Sequence, residues 1–328
     1  MSTDIEDVIV RSLRARAGAD VNAAELAART AARGRSRVLR QRVGIACAAL
    51  LAVGGAVAVP SLVDRPSVGG GPMANGVPTL PSDVDAPPLT QRPELVGTDP
   101  ALMHFTADAL TGVARGARWT SGTGFERLTV TTADDNDIWI ELGRDKAALE
   151  GLPRRTSDLL FDSDTSSSNV LVGDRPGVLE RATGARLATP VWVLTWQPVD
   201  GVWARAEVPA PTDESILAAA EAVRVDEVRR CAAPFQLTAL PAGARVLACE
   251  VNLAGEPDQP FVDASLAVGT DPSRVVHVRA EAGGIGGLTI STTRTGYAEA
   301  DARLVLGGVR VSETPQDLNT WPTTLVAG

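Results

Sequence analysis

The sequence predicts an α+β protein assembled from an N-terminal amphipathic tail, one transmembrane helix, a disordered Pro/Gly linker and a β-rich extracytoplasmic region of two related lobes. Three observations predict it. A charge-free apolar run follows a block of arginines, and a stretch rich in Pro and Gly comes after that run. Beyond residue 100, apolar residues recur at the two-residue period of strands, broken by turn residues. The expected divisions are 1–42, 43–63, 64–100, 101–227 and 228–328.

The tail, 1–42, begins with DIEDVIVRSLRAR, where Ile5, Val8, Ile9 and Leu13 fall at helical spacing. Acids come first and arginines last, as the helix dipole favours. A second helix is expected over Ala23–Ala32. Such a segment is too short to bury a core alone. It lies along the inner leaflet, docks on a cytoplasmic regulatory protein, or only sets topology.

The run 43–63 reads VGIACAALLAVGGAVAVPSLV. At 1.5 Å rise per residue it spans roughly 31 Å, close to the hydrocarbon thickness. Arg33, Arg35, Arg37, Arg40 and Arg42 stand before it. Residues 1–42 hold nine Arg and five acids, a balance of +4; the whole chain carries −9, so the remainder carries −13. The positive-inside rule then puts the N-terminus in the cytoplasm and the C-terminus outside, in a single-pass topology at the cell membrane. Ala56-Val57-Ala58 offers a signal-peptide cleavage pattern, but a 42-residue lead is long for an n-region, so an uncleaved anchor is expected. Gly44, Ala48, Ala52 and Ala56 share one helix face and would permit a homodimer through the span; an Ala/Gly-rich helix also produces such ladders by chance. The acidic exterior excludes nucleic acid as a partner, because phosphate binding needs a basic face.

This layout of Arg/Ala-rich tail, span, Pro-rich linker and β-rich outer domain resembles actinobacterial single-pass membrane proteins built like anti-sigma factors. The resemblance covers about the first hundred residues. Arg supplies 30 of the 31 basic residues, Lys146 being the exception. The resemblance implies an inner tail that regulates a cytoplasmic partner. The His-x₃-Cys-x₂-Cys zinc motif of some such tails is missing, since 1–42 has neither His nor Cys.

In 64–100, repeated Pro and Gly with few apolar residues predict an extended or disordered spacer. The outer region then opens with strands 128–132 and 138–142 around Asp134–Asp137, and 191–196 and 202–208 around Gln197–Gly201. A helix is expected from Thr212 to about Val223, with Ile216, Leu217, Ala220 and Val223 inward. Strands follow at 244–252, 262–268, 274–279 and 287–292, and a helix or strand at 298–311. The stretch VWVLTWQPVDGVWARAEV with ILAAAEAVR resembles the closing hairpin and helix of lipoprotein-carrier-like outer domains. An internal echo supports two lobes: Phe105 with Gly116-Ala117-Arg118 and Arg224-Val225, against Phe235 with Gly243-Ala244-Arg245 and Arg310-Val311.

Chemistry-bearing motifs are sparse. Cys231 and Cys249, an even pair in an oxidising compartment, are expected to form a disulfide. His104 and His277 are too far apart in sequence to encourage a zinc site or a nucleophile triad. Asp162–Ser166 opens like a calcium loop, but Gly173 stands where the closing glutamate belongs, so a polar loop is expected. The run 283–287, GGIGG, lacks the lysine of a phosphate-binding loop. Trp192, Trp196 and Trp203 would make an aromatic platform or fill a core. No catalytic, cofactor-binding or metal-ligating residues are expected. The function expected is non-enzymatic: an anchored extracytoplasmic protein that binds or senses an envelope ligand. The alternatives are a structural adaptor whose tail only orients it, or an anchored hydrolase.

Overall fold

The computed structural model describes residues 76–152, 164–184, 187–255, 261–282 and 288–327. The tail, the 43–63 span with its Gly44/Ala48/Ala52/Ala56 face, the arginines at 33–42 and the glycine run 283–287 lie outside those residues. No helix among the described residues is long and apolar enough to cross a membrane.

Fifteen strands and four short α-helices are described. In chain order they are β1 (Leu102–Met103), α1 (Asp108–Thr111), β2 (Gly116–Gly122), β3 (Phe125–Thr131), β4 (Asp137–Gly143), α2 (Lys146–Glu150), β5 (Asp164–Val172), β6 (Arg175–Thr183), β7 (Val191–Val199), β8 (Val202–Pro209), α3 (Glu214–Glu221), β9 (Arg229–Arg230), β10 (Phe235–Leu237), β11 (Arg245–Ala254), β12 (Phe261–Asp271), β13 (Arg274–Ala282), β14 (Leu288–Thr295), α4 (Glu299–Gly307) and β15 (Val309–Val311). Eleven strands form one sheet in the order β14-β13-β12-β11-β2-β3-β4-β8-β7-β6-β5. Every neighbouring pair in it is antiparallel.

Alternation along each strand gives the sheet two different faces. On one, the ladder Ile290–Ala280–Ala264–Val251–Trp119–Leu128–Ile140–Ala206–Leu194–Leu179 is apolar from β14 to β6. Helix α3 packs against β7 and β8, and α4 against β13 and β14. Ile216 and Val305 supply fully buried side chains from these two helices. On the other face the adjacent ladder reads Ser291–Arg279–Ser265–Glu250–Thr120–Arg127–Glu141–Arg205–Thr195–Val178–Asn169. A shift of one residue in any strand would exchange these sets, so the pattern fixes the register.

Two expectations are corrected. The spacing predicts a linker through residue 100, yet 76–100 belongs to the outer fold: Val77, Leu80, Leu89 and Val96 are buried in the core. Val77 N–H donates to Thr111 O, and Arg230 N–H to Pro81 O. Pro and Gly suppress helix and strand, but spaced apolar residues still seat a non-repetitive segment in a core. The division at 227/228 also does not interrupt the sheet, because β2 and β11 pair across it from Ala248↔Gly122 to Ala254↔Gly116.

The internal echo nevertheless has a geometric counterpart. Thr106, one residue after Phe105, bridges Arg224 antiparallel. Gln236, one residue after Phe235, pairs with Arg310, and Phe235 with Val311. Each pairing follows a helix packed on the sheet, and each half contributes a strand set, β2-β3-β4-β8 or β11-β12-β13-β14. The first half adds β5–β7, the strands by which the two halves differ. The sequence reading missed the β5–β6 hairpin because DTSSSNVLV is polar and Ser-rich; it forms an exposed edge strand. Asp164, Thr165 and Ser166 therefore sit in a strand rather than the expected loop, while Asp162 and Ser163 lie outside the described residues.

Candidate functional site

The polar face of the sheet is covered by α2 around Glu141 and open from β2 across β11–β14. Near its middle, Glu141 on β4 has only 2 % of its side chain exposed. It accepts from Arg127 Nε on β3 at 2.7 Å and from Arg205 Nε on β8 at 2.9 Å. A second Arg205 donor, Nη2, also reaches the same carboxylate. Arg127 stacks over the rings of Phe125 and Trp139 as well, at 5.4 and 5.2 Å. Helix α2 lies over this cluster. Asp145 caps it by accepting from Ala148 N–H at 2.7 Å, and Leu149 seats against Gly143, where an added Cβ would stand 3.2 Å from the leucine. Lys146, Leu149, Val178, Thr195 and Arg205 enclose only a small space of about 90 Å³ there.

Over β11–β14 the same face has no described element covering it. Arg118, Glu250, Asp263, His277, Arg279 and Thr293 line a hollow of about 400 Å³. Arg279 grips Asp263 with two hydrogen bonds of 2.7 Å each and meets Glu281 at 2.9 Å, yet 52 % of its side chain remains exposed. These hydrogen bonds raise the pKa of Arg279, so it is cationic at every pH of interest. Beside it, Arg118 lies 3.8 Å from Glu250, which also accepts from Thr120 Oγ1 at 3.3 Å. The hollow thus offers two partly satisfied guanidinium groups beside buried and half-buried carboxylates and exposed hydroxyl and imidazole groups. That set can hydrogen-bond a polar ligand of either sign.

His104 is closed to any such role. Its Nδ1 lies 2.6 Å from Glu126 Oε1, with the two side chains 1 % and 0 % exposed. Glu126 also accepts from the backbone N–H of His104 at 2.6 Å and of Gly97 at 3.0 Å. The pair ties the 97–104 segment to β3, and its burial leaves no path for a substrate. His277, by contrast, is exposed on β13.

Cys231 and Cys249 form the expected disulfide, with Cα atoms 6.2 Å apart. Both residues are fully buried, and the bond joins the segment after β9 to β11. The tryptophan platform is divided: Trp196 pairs with Ala204, which leaves Trp203 on the opposite face from Trp192 and Trp196. Trp196 fills the core, and Trp192 Nε1 donates to Ala210 O at 3.0 Å. Among the described residues no group of three or more His, Cys, Asp or Glu is placed to hold a metal ion.

The Arg127–Glu141–Arg205 cluster escaped the sequence reading, although its signal was present. All three residues occupy outward positions of alternating strands, but only the register brings them side by side. Glu126 left a plainer signal, because it shares the inward positions of β3 with Leu128 and Val130.

No protein-family model and no curated protein matches the chain. Among solved structures, the crystal structure of MucB in complex with MucA(peri) matches at 14% identity over 60% of this chain and 92% of that one, with a TM-score of 0.19. At that TM-score the likeness decides neither fold nor function.

Proposed function

We propose that the outer domain is a non-enzymatic binding module of the cell envelope, held at the membrane by the 43–63 span with residues 1–42 in the cytoplasm. Its ligand-facing surface is the open hollow over β11–β14. The observation that carries this reading is the contrast in arginine exposure on one polar face: Arg127 and Arg205 close on the buried Glu141 with 18 % and 5 % of their side chains exposed, whereas Arg279, although paired with the buried Asp263, keeps 52 % of its side chain exposed. A disulfide in the same domain agrees with an oxidising compartment.

The test is Arg279→Glu in the full-length chain in its own membrane. The expected result is loss of the complex recovered after mild detergent extraction, with an unchanged melting temperature. An unchanged complex would count against this face. The tail is the output surface in the signalling version. Deleting residues 4–32 while keeping Arg33–Arg42 should then abolish the response and leave membrane insertion intact; an adaptor would lose nothing.

A further inference from the structure

A second hollow, of about 410 Å³, lies at another place in the domain. Its walls come from the turn at 95–99, the tip of the β2–β3 hairpin, and the starts of α2 and β11. Arg144 and Arg245 both line it and both are exposed. Elsewhere in this acidic chain, Arg118, Arg127, Arg175, Arg205, Arg229 and Arg279 each stand within 4 Å of a carboxylate. Among the described residues Arg144 and Arg245 do not, and neither do Arg224, Arg274, Arg294 and Arg310; what sets Arg144 and Arg245 apart is that both line one hollow. Arg144 spends Nε on Val96 O at 3.3 Å, and the exposed Glu94 carboxylate feels its charge without making a close ion pair with it. Asp145, the acid on the rim, has Oδ1 engaged with Ala148 N–H.

The frame is rigid. Gly97 has φ +63°, and a Cβ there would come 2.3 Å from Phe125 N, so only glycine lets the turn meet the hairpin this closely. Gly124 N–H donates to Gly97 O at 2.8 Å, and Thr123 N–H to Leu247 O at 3.2 Å. Buried Glu126 holds Gly97 N–H from beneath. The hydroxyls of Thr98 and Thr123 donate to backbone carbonyls of Leu95 and Leu247. They have no proton left for a ligand, so charge recognition falls to the two guanidinium groups.

We infer that this hollow binds an oxyanion, the phosphate or carboxylate group of a small solute, clamped between Arg144 and Arg245. Two guanidinium groups supply planar paired donors suited to either group. The site is separate from the face over β11–β14, and its failure would leave that proposal standing.

The experiment titrates full-length protein in detergent with inorganic pyrophosphate and, in parallel, with citrate, using calorimetry at fixed ionic strength. Wild type should bind one of them saturably. Arg144→Met and Arg245→Met should each weaken binding about 10-fold, in line with loss of one charge-assisted contact, and the double variant should abolish it. Arg310→Met, at an exposed arginine outside the hollow, should leave it unchanged. Which probe saturates identifies the phosphate or the carboxylate class. Absence of saturable binding to both, or an equal loss with Arg310→Met, overturns the inference. Both side chains are exposed, so unchanged melting temperatures will show that the variants are folded.

Discussion

The two halves of the sheet carry the same kind of polar ladder and treat it in opposite ways. In the first, Glu141 is surrounded by two arginines and roofed by α2; in the second, the buried Asp263 is gripped by an Arg279 that stays half exposed. Ionic groups removed from water must be fully partnered, because the desolvation cost otherwise dominates. Groups left in water contribute little to stability and remain available to a ligand. The difference teaches that charge on a sheet face does not by itself mark a site; its exposure does.

The largest expected effect breaks the comparison at Glu141. Glu141→Gln leaves Arg127 and Arg205 partly buried without their carboxylate and should cost about 3–5 kcal/mol in urea unfolding. Asp263→Asn, the corresponding change on the open half, replaces a buried carboxylate by an amide but frees an Arg279 that water solvates, and should cost less, about 1–2 kcal/mol. Equal losses would remove the distinction between the halves. Next, Cys231→Ala with Cys249→Ala should cost about 3 kcal/mol, the chain-entropy value for a loop of this length. Amide exchange should then rise more in β11–β14 than in β3–β8.

Much of the fold was legible before these contrasts were. Alternation placed the 128–142 and 191–208 hairpins because Asp134–Asp137 and Asp200-Gly201 are strong turn formers beside apolar strands; Gly201 indeed takes φ +85°. The helix expected from Thr212 begins at Glu214, with Ile216 and Ala220 inward as the spacing implied. The 298–311 segment, left open between helix and strand, is both: α4 followed by β15. What could not be read was long-range pairing. No local pattern tells β11 to join β2, or places β5–β7 outside β8, so neither the continuous sheet nor the Glu141 cluster followed from spacing. The core role of 76–100 was hidden for another reason: apolar side chains without periodicity look like linker.

A smaller effect concerns the buried pair. Glu126→Gln keeps the shape but replaces an acceptor of three hydrogen bonds with a group holding one acceptor oxygen. A loss of about 2 kcal/mol is expected, with faster amide exchange at Gly97 and His104. The smallest effect is a pH dependence at the β12–β13 turn. Hydrogen bonds from the Ser273 hydroxyl and N–H hold the Asp271 carboxyl below its usual pKa. A depressed folded-state pKa contributes stability above the unfolded value, near 4, that is lost as pH falls through the folded value. Asp271→Asn should therefore flatten a shallow slope of stability below about pH 4 and change nothing at neutrality.

The central claim is that the open half of the polar face is where the molecule meets its ligand. The direct measurement places a photo-cross-linking residue at Ser265, Thr293 or Thr195 of the full-length chain in living cells. Adducts from Ser265 and Thr293, and none from Thr195 beneath α2, are predicted. Adducts at Thr195 alone, or equal yields at all three positions, would contradict it.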